Sequence, residues 1–438
     1  MCSLRQFQHS DELNDFGNSS SNQVTITLIF RRFEVKRPFA MLLSNMDEGE
    51  GVDWATTEMP ELDITHRKSI SLDKRQITAI VSSIISALLL LSSGYMLYNW
   101  YQNYDGSNNA NLPPPDEYIT WQSDFRAMTG IDGVSATGSG VGICVVDTGI
   151  DLSHQDFGGR QLAGWKDFIQ DQETPYDDQG HGTAMSGLIW ADGWMKGVSP
   201  NADLYVAKAM NSQGEGVDET IAEAVDWCVD SGVDIISMSL GGAGGFNFIL
   251  SSTDELENSV NDALSQGVFV VAAAGNDGEN DDGDVASPGS VEDVICVGGI
   301  DRTGMIWSGS SSGDNNGEIF PNPMLPRSNP DMKPEVTAPG KDVPVLIPPS
   351  QQSKEPSRYG PYAHASGTSA ATAWVAGGIA LLLEEKPELA HNGSSGGSGA
   401  ISDVKQWLSD SATGQEGHDD HYGYGVFNVE ALISTANS

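Results

Sequence analysis

Four residues of this chain carry chemistry by type and setting: Asp147, His181, Asn276 and Ser369. Ser369 stands in Gly367-Thr368-Ser369-Ala370-Ala371, ahead of a run of helix formers that continues through Leu383. A hydroxyl at a helix start lies close to backbone N–H groups that have no partner inside the helix. Negative charge on a neighbouring oxygen is stabilised there. The same setting also suits a serine that only caps the helix. His181 is flanked as Gly180-His181-Gly182-Thr183 at the entrance to a helical run, and glycines on both sides let other atoms approach the ring closely. Asp147 ends an apolar run and precedes Thr148-Gly149, while Asn276 closes Ala272-Ala273-Ala274-Gly275-Asn276. Each is also an ordinary turn residue when taken alone. An amide at the second position donates to an oxyanion without adding charge. The order Asp, His, Asn, Ser narrows what the four could do together.

These residues need a frame. Short apolar runs lie at 141–146, 204–207, 233–236, 268–272 and 294–297. Helical patterns alternate with them, at 217–229 (Ile221, Val225, Cys228 and Val229 at helical spacing) and 256–264, with a last helix near 402–408. Alternation of this kind means parallel βαβ units, an α/β fold with helices on both faces of the sheet. Sites in such sheets form beyond the carboxyl ends of the strands, where Asp147 and Asn276 fall. Residues 301–335 read as an irregular surface excursion, and 391–399 as a flexible Gly/Ser loop.

Composition excludes some functions. The chain has 61 acidic and 22 basic residues and a formal net charge of -39, most of it beyond residue 75. A polyanion repels nucleic acid, so no nucleic-acid partner is expected. Of the four cysteines, Cys144, Cys228 and Cys296 sit in apolar patterns and read as small buried residues, with neither a disulfide framework nor a zinc site. His418 and His421 lie in an acidic loop and read as solvated.

The amino-terminal part is different. Residues 1–76 are weakly patterned, with one candidate strand at 24–30, and are expected to be cytoplasmic and partly disordered. Residues 77–98 carry no charge over 22 positions, enough to cross a bilayer as a helix. Arg67, Lys68, Lys74 and Arg75 precede them, and no basic residue follows until Arg126. The positive-inside rule then makes this a single signal-anchor helix, with everything after it outside the cytoplasm. Tyr95, Tyr98, Trp100 and Tyr101 form an interfacial belt at its far end. A polar linker occupies 99–116, and the domain proper is expected over 117–438.

The carboxyl-terminal domain resembles the subtilisin-like serine proteases, the subtilases of peptidase family S8, over roughly residues 120–438. The resemblance rests on Val145-Val146-Asp147-Thr148-Gly149-Ile150-Asp151, on Gly180-His181-Gly182-Thr183, on Ser237-Met238-Ser239-Leu240-Gly241-Gly242 and on the run ending Gly275-Asn276. Lys333-Pro334-Glu335-Val336-Thr337-Ala338-Pro339-Gly340, Gly367-Thr368-Ser369 and Gly423-Tyr424-Gly425 complete it in family order. It implies a three-layer fold with a mostly parallel, doubly wound sheet. It implies a peptidase acting on proteins or peptides with no cofactor for the chemistry. Ser369 would be the nucleophile, His181 the base, Asp147 its orienting partner and Asn276 the oxyanion donor. Ser239, Leu240, Gly241 and Gly275 would hold the substrate backbone. The family's usual Pro-His after the serine is replaced by Ala373-Trp374, which is expected to alter packing and not chemistry. The acidic run 277–284 borders the family's specificity pocket and suits either basic substrate side chains or a structural calcium ion.

Two other readings compete. A non-catalytic binding domain on the same scaffold would have no need of the four site residues. Gly309-Ser310-Ser311-Ser312-Gly313 matches the G-x-S-x-G motif of esterases, with Asp331 and His364 following, but lies in a Ser/Gly/Asn run and not at a strand–turn–helix junction.

Overall fold

The computed structural model describes residues 23–28, 68–73, scattered positions between 75 and 83, and 112–438 except 241–252, 279–284, 314–326 and 355–359. The chain divides into two compact units, Met1–Tyr104 and Asp105–Ser438. In the first, β1 (Gln23–Leu28) pairs antiparallel with β2 (Lys68–Asp73), Gln23 facing Asp73. The candidate strand at 24–30 is thus largely β1. The expected membrane span lies almost wholly outside the described residues. Among the described residues no helix is long and apolar enough to cross a membrane.

The second unit opens with α1 (Asp116–Met128). Its sheet contains β3 (Gly142–Asp147), β4 (Gly164–Asp167), β5 (Asp203–Lys208), β6 (Ile235–Met238), β7 (Phe269–Ala273), β8 (Ile295–Ile300) and β9 (Val336–Pro339). The strand order is β4-β5-β3-β6-β7-β8-β9, and every neighbouring pair is parallel. β6 through β9 are buried at every residue, as strands are when both sheet faces are covered. β10 (Val343–Leu346) and β11 (Tyr362–Ala365) form a separate antiparallel pair.

Two sets of helices cover the sheet. α2 (His181–Trp190) packs against α5 (Thr368–Glu385), and α5 lies along β6, β7, β8 and β9. α3 (Asp218–Asp230) and α4 (Thr253–Ser265) pack on each other, α3 against β3 and β5 and α4 against β7. α6 (Ser398–Ser411) and α7 (Val429–Ala436) pack together at the end of the chain. α5 is buried from Thr368 through Leu383, so its sequence is apolar all round and not along one stripe. Trp374 on that helix is 1% exposed and sits 6.3 Å from the Phe125 ring of α1, so Ala373-Trp374 is a packing substitution.

After β3 the chain builds β4 and β5 on one side, then crosses to β6 on the other. The carboxyl end of β3, where Asp147 stands, is therefore the switch point at which an open parallel sheet leaves a crevice.

Three expectations are corrected. Cys144 of β3 and Cys228 of α3 form a disulfide with Cα atoms 5.9 Å apart, while Cys296 is buried and outside that bond. The two lie 84 residues apart, and only the packing of α3 on β3 makes them neighbours. The stretch 301–335 is not simply a surface excursion, because Ser310, Ser311, Ser312, Lys333 and Glu335 are buried. Ser369 is not the helix cap either: Gly367 holds that position in extended backbone and Ser369 is the second residue of α5.

Candidate active site

The site is assembled by the ends of β3, β6 and β7 and the first turns of α2 and α5. Asp147 is the last residue of β3 and has no exposed surface. His181 is the first residue of α2, and its Nδ1 lies 2.8 and 2.9 Å from the two carboxylate oxygens of Asp147. Thr148 also donates its N–H to Asp147 Oδ1 at 2.7 Å. A carboxylate facing Nδ1 fixes the proton there and leaves Nε2 as the basic nitrogen. The two glycines of the motifs explain the closeness. A side chain on Gly182 would begin 2.1 Å from the carbonyl oxygen of Gly149, so backbone rests on backbone where β3 meets α2.

Ser369 lies in the first turn of α5, where N–H groups have no intrahelical partner. It is 6% exposed, and its hydroxyl donates to the Ser239 carbonyl at 3.2 Å. Ser239 answers by donating its hydroxyl to the Ser369 carbonyl at 3.1 Å. Asn276, just beyond β7, accepts the Thr368 N–H at 2.9 Å and the Thr368 hydroxyl at 3.1 Å on Oδ1. Both contacts occupy the amide oxygen, so the Nδ2 donor is turned to the other side of the amide. The Thr368 hydroxyl oxygen also accepts the Gly275 N–H at 3.2 Å, which ties the β7 loop to the start of α5. Gly275 has φ 111°, and a side chain there would meet Ser311 Oγ at 2.7 Å.

The structure thus joins Asp147 to His181, Ser369 to Ser239, and Thr368, the residue before Ser369, to Gly275 and Asn276. Leu240 follows Ser239 with its side chain buried, and Gly241 lies outside the described residues. The esterase alternative is not assembled. Ser311 is buried, donates its N–H to the Gly275 carbonyl and accepts the Asp277 N–H on Oγ. Asp331 pairs with Lys405, and His364 lies on β11 at 3.3 Å from Asp342. His154 is also engaged elsewhere: Nδ1 accepts the Asp156 N–H and Nε2 faces the Pro361 carbonyl, while burial lowers its pKa.

Beside His181 a cleft of about 400 Å³ opens between α2 and the β10–β11 pair, lined by Gln179, Ala184, Met185, Val345 and His364 among others. Buried Lys208 at the end of β5 supports this corner, donating to the Thr148 and Met210 carbonyls and to Asp178. Tyr176 on the same corner donates to Asp167, and burial together with that carboxylate raises the phenol pKa. The sequence alone does not mark Thr148, Asp177, Lys208 or Thr368 as neighbours of this site. Thr148 and Thr368 stood inside motifs already singled out, whereas Lys208 at a strand end carried no pattern.

Among the described residues no group of three or more His, Cys, Asp or Glu is placed to hold a metal ion. Most of the acidic run that suggested calcium, 279–284, lies outside them.

A parallel α/β sheet with an Asp–His pair at its switch point and a serine at the start of a central helix is an arrangement that suits serine-based hydrolysis. The Subtilase family model matches residues 138–425, and the chain belongs to that family, as a serine-type endopeptidase. It is 35% identical over 319 residues to the serine protease AprX of Bacillus subtilis, covering 69% of this chain and 68% of that one. It is 33% identical over 298 residues to subtilisin DY of Bacillus licheniformis, 67% of this chain and 91% of that one. Among solved structures, the protease domain of PatA shares the fold, with TM-score 0.53 and 23% identity over 69% of this chain and 98% of that one.

Proposed function

We propose that this chain is a membrane-anchored serine endopeptidase in which Ser369 attacks the peptide carbonyl. His181 takes the hydroxyl proton on Nε2 and passes it to the leaving amine. Asp147 holds the imidazole and stabilises its cation. The carbonyl electrons move onto oxygen, which Asn276 Nδ2 and the Ser369 N–H receive. Collapse expels the amine and leaves an acyl–serine ester. Water, deprotonated by the same histidine, then attacks the ester, and the histidine returns that proton to the Ser369 oxygen as the acid leaves. The observation that carries this reading is the double contact of His181 Nδ1 with buried Asp147, across packed helices from a serine in the first turn of α5.

On this reading the catalytic domain lies outside the cytoplasm. The uncharged stretch 77–98 and the basic residues before it support that orientation. The Cys144–Cys228 disulfide is independent support, since such bonds persist in oxidising compartments. Protein or peptide chains are the substrates, gripped along the backbone near Ser239 and Gly275.

Fluorophosphonate labelling and casein cleavage by the full-length chain test the chemistry. Wild type and Ser311→Ala should label and cleave, and Ser369→Ala should do neither. Labelling that survives Ser369→Ala and disappears in Ser311→Ala would move the nucleophile. A wild-type chain that never labels or cleaves would leave a binding domain. For topology, external protease should spare residues 1–75 in sealed cells; their digestion would reverse the orientation.

A further inference from the structure

We infer that Asp177 is a positioning residue of the reaction, acting through His181; this rests on the Asp147–His181–Ser369 reading. Asp177 is 4% exposed and lies in the loop before α2. Its Oδ1 accepts the Thr148 hydroxyl at 3.0 Å, the Gln179 N–H at 3.1 Å and the Gly180 N–H at 2.7 Å. Its Oδ2 accepts the Thr183 N–H at 2.9 Å and the Thr183 hydroxyl at 2.7 Å.

Every one of these donors flanks a site residue. Thr148 follows Asp147, Gln179 and Gly180 precede His181, and Thr183 comes two positions after it. The connections continue outward. The Thr148 hydroxyl accepts the Gly182 N–H at 2.8 Å, and the Thr183 hydroxyl accepts the Asp151 N–H at 2.9 Å. Gln179 in turn accepts the His181 N–H on Oε1 at 2.7 Å. One carboxylate therefore closes a circuit through the end of β3 and both sides of His181. The Gly149–Gly182 contact sets how near the two segments come, and Asp177 sets where along each other they stop.

No neutral side chain of this shape does the same. A carboxylate only accepts, through about four lone-pair sites on two oxygens. Asparagine would aim an NH₂ group at N–H and O–H donors on one side. Asp177 itself touches neither the imidazole nor the serine in these contacts, so its effect passes through the geometry of His181. A catalytic group misplaced by about 1 Å costs on the order of 10²-fold in rate.

The test is Asp177→Asn in the full-length chain, with active sites counted by a burst titrant so that turnover is expressed per competent serine. A merely structural role would reduce the number of titratable sites and leave kcat per site and the proton spectrum unchanged. The positioning role predicts kcat per site lower by about 100-fold, with KM within about twofold because uniform binding is untouched. It also predicts loss or broadening of the downfield proton resonance of the His181 Nδ1–H. Normal kcat per site with a normal resonance overturns it. If Asp177→Asn does not fold, Thr148→Ala removes only the hydroxyl between Asp177 and Gly182. That variant should lower kcat per site by about 10-fold, the smaller loss expected when one relay among several is cut, and an unchanged value overturns the proposal. Cleavage retained by Ser369→Ala would strike at the underlying triad instead, a result separate from an Asp177→Asn enzyme that turns over normally.

Discussion

Two buried networks of charged side chains lie in the same domain, and they handle burial in opposite ways. At the end of β3, Asp147 and Asp177 are surrounded by N–H groups, hydroxyls and one imidazole. Between β8, β9 and α6, Glu335 and Asp331 are met by two ammonium groups, Lys333 and Lys405. Lys333 donates to the Val294 carbonyl at 2.6 Å, and Glu335 Oε2 accepts the Cys296 N–H at 2.7 Å. Both lysine side chains are fully buried, whereas the His181 side chain keeps 15% exposure at a cleft. Neutral donors hold the two carboxylates in place without a permanent cation, which leaves Asp147 to stabilise the imidazolium that forms during turnover. Fixed opposite charges hold each other and tie α6 to the sheet, but have nothing to offer a substrate. Buried charge alone therefore does not mark a site; the nature of its partners and an opening beside it do.

The largest test of this contrast is Asp147→Asn. The side chain keeps its shape but no longer fixes the imidazole proton on Nδ1. Turnover per titrated site should fall by about 10⁴-fold with the fold retained. Steady-state kinetics and thermal unfolding on one preparation check both halves. Turnover within tenfold of wild type would remove Asp147 from the mechanism.

Lys405→Met should do the reverse. It leaves buried Glu335 and partly exposed Asp331 with one cation, and breaking the fully buried Lys405–Glu335 pair in this way costs about 3–5 kcal/mol. Urea unfolding should show that loss while kcat per active site stays at the wild-type value. A parallel fall in kcat would mean that the two networks are coupled and the contrast fails.

The same contrast explains what could be read from the sequence. β3, β5, β6, β7 and β8 announced themselves as apolar runs because strands covered on both faces must be apolar. β4, Gly164-Trp165-Lys166-Asp167, sits at the sheet edge with only Asp167 buried, so its sequence had no such run. The candidate site residues stand out in the sequence because each has an uncommon local setting: a glycine on either side of His181, a strand end for Asp147, a helix start for Ser369. Ser369 was misread only in its helix position, since Gly367 takes the cap. Partners distant in sequence left no trace. Cys144 and Cys228 are 84 residues apart, and Lys405 meets Asp331 across 74. Nothing near any of the four predicts its partner, because the register between α3 and β3, or between α6 and the segment leading into β9, exists only after packing. Asp177 was overlooked for a subtler reason: in Tyr176-Asp177-Asp178-Gln179 it looks like one more acid in an acidic chain.

The smallest effect lies in how the lysine cluster responds to pH. Burial by itself would lower the Lys405 pKa, but Glu335 and Asp331 outweigh it and raise the value above the ordinary 10.5. Burial by itself would raise Asp331, yet Lys333 and Lys405 hold it below the ordinary 3.8. A raised lysine contributes stability that is complete below its unfolded pKa and is lost as pH rises through the folded value. A depressed carboxylate contributes stability that is complete above its unfolded pKa and is lost as pH falls through the folded one. The stability difference between wild type and Lys405→Met should therefore be flat from about pH 5 to pH 10. Above the ordinary lysine range it should shrink by at most about 1.4 kcal/mol per pH unit, the slope of one proton held by the folded state and not by the unfolded one. Urea unfolding of both proteins across that range measures the curve. A difference that stays constant into strong alkali would show that the Lys405 stem, and not its charge, supplies the stability; the cluster would then be ordinary packing, and the contrast with the site at β3 would no longer be one of charge.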